Sequence, residues 1–240
     1  FTTEDTFKVL SSGSPIGDIP FSPQIVEGEN LLLAARIWKI IHVDFDAKRI
    51  HVIKALDGKK PSFSGTAASV HGSVRQKMLE LLYSKEVFNV LNKASVMELG
   101  KLRKEFTPFN IQDFQTERPM RIKDGSVELF TFAGTKINNT IYLLLDLAGF
   151  ECKLNTPSSS FEIETSATHL RAKWPALQSA LQDIDEHLSD LIDKRPQILS
   201  FSKWGSLLPR KFQVELLKRK YYDFNEAIKF IDSCKFVENC

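Results

Sequence analysis

Hydrophobic side chains recur along this chain at two different periods, and the change between them is what most constrains its fold. Between Leu31 and Ala55 the period is two: Ile37, Lys39, Ile41 and Val43 fall on one face, with Trp38, Ile40 and His42 on the other. Ile50, Val52 and Lys54 continue it, so Leu31 to Val43 and Arg49 to Ala55 read as a hairpin across Asp44 to Lys48. Apolar residues on both faces predict a strand buried twice, as in a barrel or sandwich. The segment Gly58 to Gly65 then breaks regular structure, and from Val70 to Phe106 the apolar residues Val74, Met78, Leu81, Leu82, Val90 and Leu91 take helical spacing. Two or three helices fit there, with Gly100 as a candidate interruption.

The same reading extends to both sides. Thr6 to Leu10 and Ile16 to Pro20 read as strands, residues 107 to 125 as irregular, and Val127 to Ala133 as a strand. Ile137, Ile141, Leu144, Leu145 and Ala148 then form a helical face, with Thr135 as its N-cap and Gly149 closing its end. Glu151 to Leu154 and Phe161 to Thr165 pair as strands. Leu170, Trp174, Leu177, Leu181, Ile184, Leu188 and Leu191 mark a narrow helical stripe, Pro175 belonging near its first turn. Such a stripe packs on its own domain or on a partner. Pro209 to Arg219 and Phe224 to Cys234 complete the set as short helices. The class is therefore α+β: an N-terminal β-rich, barrel- or sandwich-like unit (1–66), a helical and irregular insertion (67–126), and a mixed strand unit with C-terminal helices (127–240).

Composition excludes several function classes. With 32 basic and 30 acidic side chains the net charge is +2, so any basic surface arises from local clustering. Three cysteines without CxxC spacing suit a reducing, cytoplasmic compartment, and five scattered histidines offer no zinc pattern. No apolar run approaches the roughly 20 residues that span a bilayer, so no membrane partner is expected. Ala133-Gly134-Thr135-Lys136 looks like a fragment of a phosphate loop, but the Gly-x4-Gly-Lys-Ser/Thr spacing is missing. The chain itself is thus expected to carry no cofactor. It begins at Phe1 without an initiator Met, and the expectation is a piece of a longer protein.

Several phrases, taken in order, resemble one family. They are Ser14-Pro15-Ile16-Gly17-Asp18-Ile19-Pro20, Ala35-Arg36-Ile37-Trp38-Lys39-Ile40 leading to Val43-Asp44, and Gly58-Lys59-Lys60-Pro61-Ser62-Phe63-Ser64-Gly65. Val70 to Arg75, Phe132 to Thr140 and Phe201 to Pro209 follow. Together they resemble the region after the winged helix in large helicase-related, Lhr-like DEAD/DEAH-box helicases. The resemblance implies an accessory domain beside RecA-like motor and winged-helix domains, helping to guide single-stranded or partly duplex nucleic acid. ATP and Mg belong to the parent's motor domains, since this chain lacks their motifs. Relatives commonly have Gly where this chain has Ala35, which leaves the backbone path there open.

A strand-tracking domain holds phosphates without reading sequence, through Lys, Arg, polar groups and aromatic faces. Thr135, Lys136, Asn138 and Asn139 sit at a helix N-terminus, where the dipole favours an anion; the alternative is a plain cap with a solvated lysine. Arg36 and Trp38 share a strand face, though Trp38 fits a core better, with Arg36 covering it. Lys59 and Lys60 lie on a Gly/Pro loop, and Arg75 on the first helix. Lys203 adds charge beside Trp204, which reads as a core anchor before Leu207-Leu208. Glu162 and Glu164 share a strand face but lack the marks of an acid/base pair, and Asp183 with His187 fits a hydrophilic face better than a metal site. The alternative function is a protein-interaction module that docks on motor domains or another protein through the Leu181 to Leu191 stripe and the final helices, without direct nucleic-acid contact.

Overall fold

In the computed structural model, which describes residues 6–20, 25, 27–58, 69–199 and 201–239, the expected 31–43 strand is cut in two by a turn. Strands β3 (Asn30–Leu33) and β4 (Arg36–Asp44) pair antiparallel, Leu33 opposite Arg36, with Ala34 and Ala35 alone between them. Both alanines have positive φ, 50° and 57°, the signature of a two-residue type I′ hairpin turn. Alanine carries no turn signal, because such turns ordinarily use Asn-Gly. The two-strand outcome was therefore invisible to periodicity.

The chain divides into two compact units, residues 1–68 with 190–213, and residues 69–189 with 214–240. In the first unit β1 (Thr6–Ser11), β2 (Ser14–Pro20) and β5 (Arg49–Lys54) join β3 and β4 in the order β2-β1-β5-β4-β3. Strands β1 and β5 run parallel; the other pairs are antiparallel. Phe7, Val9, Leu31, Ile40, Val43, Ile50 and Val52 line the inner face and are buried. The sheet curls until its two edges meet: a Cβ placed on Gly17 of β2 would lie 3.2 Å from the Leu33 side chain of β3. With φ of 153° as well, Gly17 is held to glycine by both backbone and contact.

Two expectations about this sheet need correction. Ile40 pairs with Val52 and His42 with His51, so Ile41 is an extra, bulged residue that resets the alternation. Val43 thereby turns inward with Ile40, while Ile41 is left 49% exposed. Nor is the strand buried on both sides, since Leu32, Ile37 and Ile53 on the outer face are also exposed.

The second unit opens with α1 (Gly72–Tyr83) and α2 (Lys93–Phe106), and Gly100 does not interrupt α2. Strands β6 (Glu117–Ile122) and β7 (Val127–Phe130) precede α3 (Thr135–Leu147), and β8 (Cys152–Asn155) and β9 (Ser160–Ile163) form the expected hairpin. Helix α4 (Ala167–Lys173) leads into a ten-residue 3₁₀ stretch, Trp174–Asp183, and then α5 (Ile184–Lys194). Pro175 falls in the first turn of this 3₁₀ stretch, where its missing N–H is not needed, and α4 precedes it as a separate helix. Helices α6 (Arg210–Tyr221) and α7 (Phe224–Ser233) are followed by β10 (Lys235–Glu238).

Here the sheet order is β10-β6-β7-β9-β8, with only β10 and β6 parallel among these pairs. Strand β6 corrects the irregular reading of 107–125. Its two arginines and Pro119 disguise it, and Pro119 is tolerated because β7 pairs only with Met120–Ile122. Adjacent residues of β7 serve opposite cores. Leu129 packs with Ile141, Leu144, Leu145, Trp174 and Ile231, while Phe130 joins Leu79, Phe106, Phe109 and Phe132. Each such fully buried side chain contributes about 1.5–3 kcal/mol. The stripe at Leu170, Trp174 and Leu177 is buried in the first of these cores.

The Ala34-Ala35 turn yields a test. Ala35→Gly removes the left-handed penalty and raises stability by about 0.5–1 kcal/mol, the gain being limited by glycine's freedom in the unfolded chain. Urea unfolding should show the higher midpoint, and a lower one would refute the turn geometry.

Candidate nucleic-acid interface

The segment Phe130 to Asn139 turns from β7 into α3 through a glycine that no other residue could replace. A Cβ on Gly134 would stand 2.8 Å from the Gly72 backbone nitrogen, because the amino end of α1 crosses the amino end of α3 here. Gly134, not Thr135, is the N-cap. Thr135 instead exchanges two bonds with Val70, its N–H donating to the Val70 carbonyl and its Oγ1 accepting from the Val70 N–H, each at 2.9 Å. Two positive helix ends are thus brought side by side.

Behind the junction lies a buried polar network. Asn138 accepts from the Thr131 hydroxyl at 2.7 Å and donates to Ser159 Oγ at 2.8 Å and to the Ala133 carbonyl. These bonds hold Phe132 and Ser159 at φ of 48° and 54°, conformations that persist only when their surroundings fix them. Thr131 is in turn held by Arg118, whose guanidinium is buried. Its Nε donates to the Thr131 carbonyl at 2.6 Å, Nη1 to the Phe114 and Glu117 carbonyls, and Nη2 to Gln76 Oε1 and the Gln115 carbonyl. All five donors are therefore used. Desolvation lowers the pKa of Arg118 against the weaker opposing pull of Cys234 and Asp113.

At the surface, Arg75, Ala133, Thr135, Asn138, Asn139, Leu154 and Thr156 line one small concavity. It gathers four of the candidate strand-contacting residues, from positions as distant as 75 and 139. Arg75 is buried and donates to the Thr156 and Pro157 carbonyls at 2.9 and 3.0 Å, fixing the β8–β9 turn. Lys136 points elsewhere: its ammonium donates to the Arg219 carbonyl at 2.6 Å. Asn139 similarly donates to the Tyr221 carbonyl, and Thr140 Oγ1 accepts from the Asp223 N–H. These side chains close the carboxyl end of α6. The amides of Lys136 and Ile137 take no protein acceptor among the described residues.

The other candidates lie in the first unit. Arg36 is exposed beside the Ala34-Ala35 turn, and Trp38 is half-buried against the sheet core, its Nε1 donating to the Leu33 carbonyl at 3.1 Å. Lys59 and Lys60 lie outside the described residues. Trp204 contradicts its reading as a core anchor, being 62% exposed. Glu162 is tied to Lys123 at 2.7 Å, which holds its carboxyl below the usual range, and lies in a ladder with Arg121, Glu128 and Lys153 across four strands. No three-residue metal cluster occurs among the described residues, and none of their helices is long and apolar enough to cross a membrane.

No protein-family model, curated protein or solved structure matches the chain. The site must therefore be read from its own chemistry. Sequence reasoning missed Arg118 and Ser159, since neither stands in a motif and both gain their roles from residues distant along the chain.

Two tests follow. Arg118→Met removes a donor from four peptide carbonyls and from Gln76 Oε1, the Phe114 carbonyl keeping a second donor in Gln76 Nε2, and should cost about 3 kcal/mol or more in urea unfolding. Arg118→Lys should not restore it, because a point ammonium cannot span the fork. The second concerns Cys234, whose thiol is pushed by burial from its ordinary 9.0 to about 12 against the opposing pull of Arg118. A raised thiol pKa favours folding while neutral, so its contribution is complete below 9.0 and is lost as pH rises toward about 12. Melting temperature should fall across that window, and Cys234→Ala should flatten the decline.

Proposed function

We propose that this chain is the strand-guiding accessory domain of an ATP-dependent superfamily 2 helicase of Lhr-like type. It works in the cytoplasm beside RecA-like and winged-helix domains that supply ATP and Mg chemistry. The observation that carries the reading is the junction where the amino ends of α1 and α3 meet at a concavity lined by Arg75, Thr135, Asn138 and Asn139. Paired positive helix ends and uncharged donors suit a phosphate backbone held without sequence preference. Engagement of this kind is weak and easily released. A moving strand requires that.

The alternative, a protein-docking module, finds its support away from the 174–191 stripe. Val87, Val90 and Met97, on α2 and the loop before it, are 77%, 91% and 65% exposed. Loss of association with the parent's motor domains in Val90→Glu and Met97→Glu, with strand affinity absent, would favour that reading.

The test of the leading proposal is a salt titration with a single-stranded oligonucleotide. Affinity should fall with a log–log slope of about −0.7 per phosphate contact. Binding undetectable at low salt, or unchanged as salt rises, would sink it. Lys136→Ala should weaken binding a few-fold; unchanged affinity would leave Lys136 as the α6 cap alone.

A further inference from the structure

One stretch of the first unit is basic and carries no carboxylate. From Lys194 to Gln213 the chain carries Lys194, Arg195, Lys203, Arg210 and Lys211 and no carboxylate, while its other 220 residues hold 27 basic and 30 acidic side chains. Within this stretch large apolar groups are exposed: Trp204 is 62% exposed, Leu207 74% and Phe212 49%. Each aromatic has its own cation. Lys203 Nζ stands 4.8 Å from the centre of the Trp204 ring, and Lys211 Nζ 4.9 Å from that of Phe212.

The local fold explains why Trp204 faces outward. Gly205 is buried, and a Cβ there would meet Ser202 Cβ at 3.0 Å and the Leu199 carbonyl at 3.3 Å. The chain therefore packs inward through Gly205, turns 3₁₀ through Leu207, and restarts as α6 after Pro209. Gln213, itself buried, donates to the Ser206 carbonyl at 2.9 Å and accepts from Arg210, which also pairs with Asp193. That bond ties the first turn of α6 to the 3₁₀ turn, so both aromatics are carried on one braced corner of the first unit.

We infer that this corner is a stacking platform for unpaired nucleic-acid bases, with Trp204 and Phe212 taking base faces while Lys203 and Lys211 take the adjoining phosphates. A nucleotide offers a flat ring and an anion a few ångströms apart, the complement of an aromatic with an ammonium beside it. Leu207 adds apolar contact for bases and sugars. An anionic bilayer is the other surface that tryptophan, leucine and lysine could meet. Interfacial anchors, however, extend their lysines away from the apolar groups toward the headgroups, whereas here both ammoniums fold over the rings. The inference rests on the strand-binding reading above but uses a different surface.

The test uses the whole chain and two oligonucleotides of one length, one of thymidines and one abasic. Trp38 is half-buried and Trp174 is 3% exposed, so quenching on binding reports chiefly on Trp204. Thymidine strands should quench and abasic strands should not. Trp204→Ala and Phe212→Ala should each weaken thymidine binding about ten-fold while leaving abasic binding unchanged. Lys203→Ala with Lys211→Ala should flatten the salt slope by about 1.4. Both aromatic sites lie on the surface, so circular dichroism should show these variants folded; Trp204→Phe, which keeps a ring, should retain most affinity. Wild-type strand binding that neither aromatic variant alters would overturn the platform while the α1–α3 reading stands. Absence of strand binding would overturn both, as would partition of the chain onto phosphatidylserine vesicles with a Trp204 blue shift and no affinity for either oligonucleotide.

Discussion

The second unit is organised around the buried guanidinium of Arg118. Removing a guanidinium from water costs several kcal/mol even after relaxation, and the pull of Cys234 and Asp113 on Arg118 is too weak to offset it. What offsets it is complete hydrogen bonding: four peptide carbonyls and Gln76 receive its five N–H groups, and the Phe230 ring lies 5.2 Å beneath. The acceptors come from the loop before β6, the end of β7 and helix α1, so the cost of burial is offset only when all three are in place. The contact therefore fixes the direction in which β7 leaves the sheet. That direction sets Thr131, Asn138 and the start of α3.

A second electrostatic pairing follows from the first. Once α3 starts at Gly134, its positive end faces the carboxyl end of α6, where carbonyls of Arg219 and Tyr221 lack helical partners. Lys136 and Asn139 supply donors to both. An ammonium at a helix carboxyl end is favoured by the dipole and by hydrogen bonding together. Lys136 consequently spends much of the charge that a phosphate would need. The junction retains the amides of its first turn, since Asn138 and Asn139 also donate to protein acceptors.

How much of this was legible in the sequence depended on how local each cause was. Gly149 was readable as the end of α3, and it has φ of 80° with the Phe150 N–H returning to the Leu145 carbonyl, all within six residues. The change from period two to helical period likewise separates the two units' main elements. Ala34 and Ala35 were unreadable because the turn imposes its conformation on residues that do not favour it. Strand β6 was hidden because Arg118 is buried and Pro119 lies in the strand, both against ordinary strand composition. At the site, Thr135 to Asn139 could be placed at a helix start from spacing alone. Their partners at 70, 159, 219 and 221 could not, since no local pattern encodes contacts across such separations.

Charge distribution bears on how such a domain would meet a polyanion. A net charge of +2 spread over 240 residues gives almost no field at long range, and at physiological ionic strength each charge acts over about 8 Å. Steered, near-diffusion-limited capture is therefore excluded as the source of affinity. Contact must come first, and only surfaces with several donors within one screening length can then retain a strand. The paired amino ends of α1 and α3 meet that requirement, and the run from Lys194 to Gln213 contains no carboxylate, although its Arg210 is paired with Asp193 just before it. The ladder around Glu128 and Glu162 does not, because its cations are already neutralised by the carboxylates beside them. On the proposed function, such a domain would hold a strand already brought into contact with it. It is poorly suited to capturing one from solution.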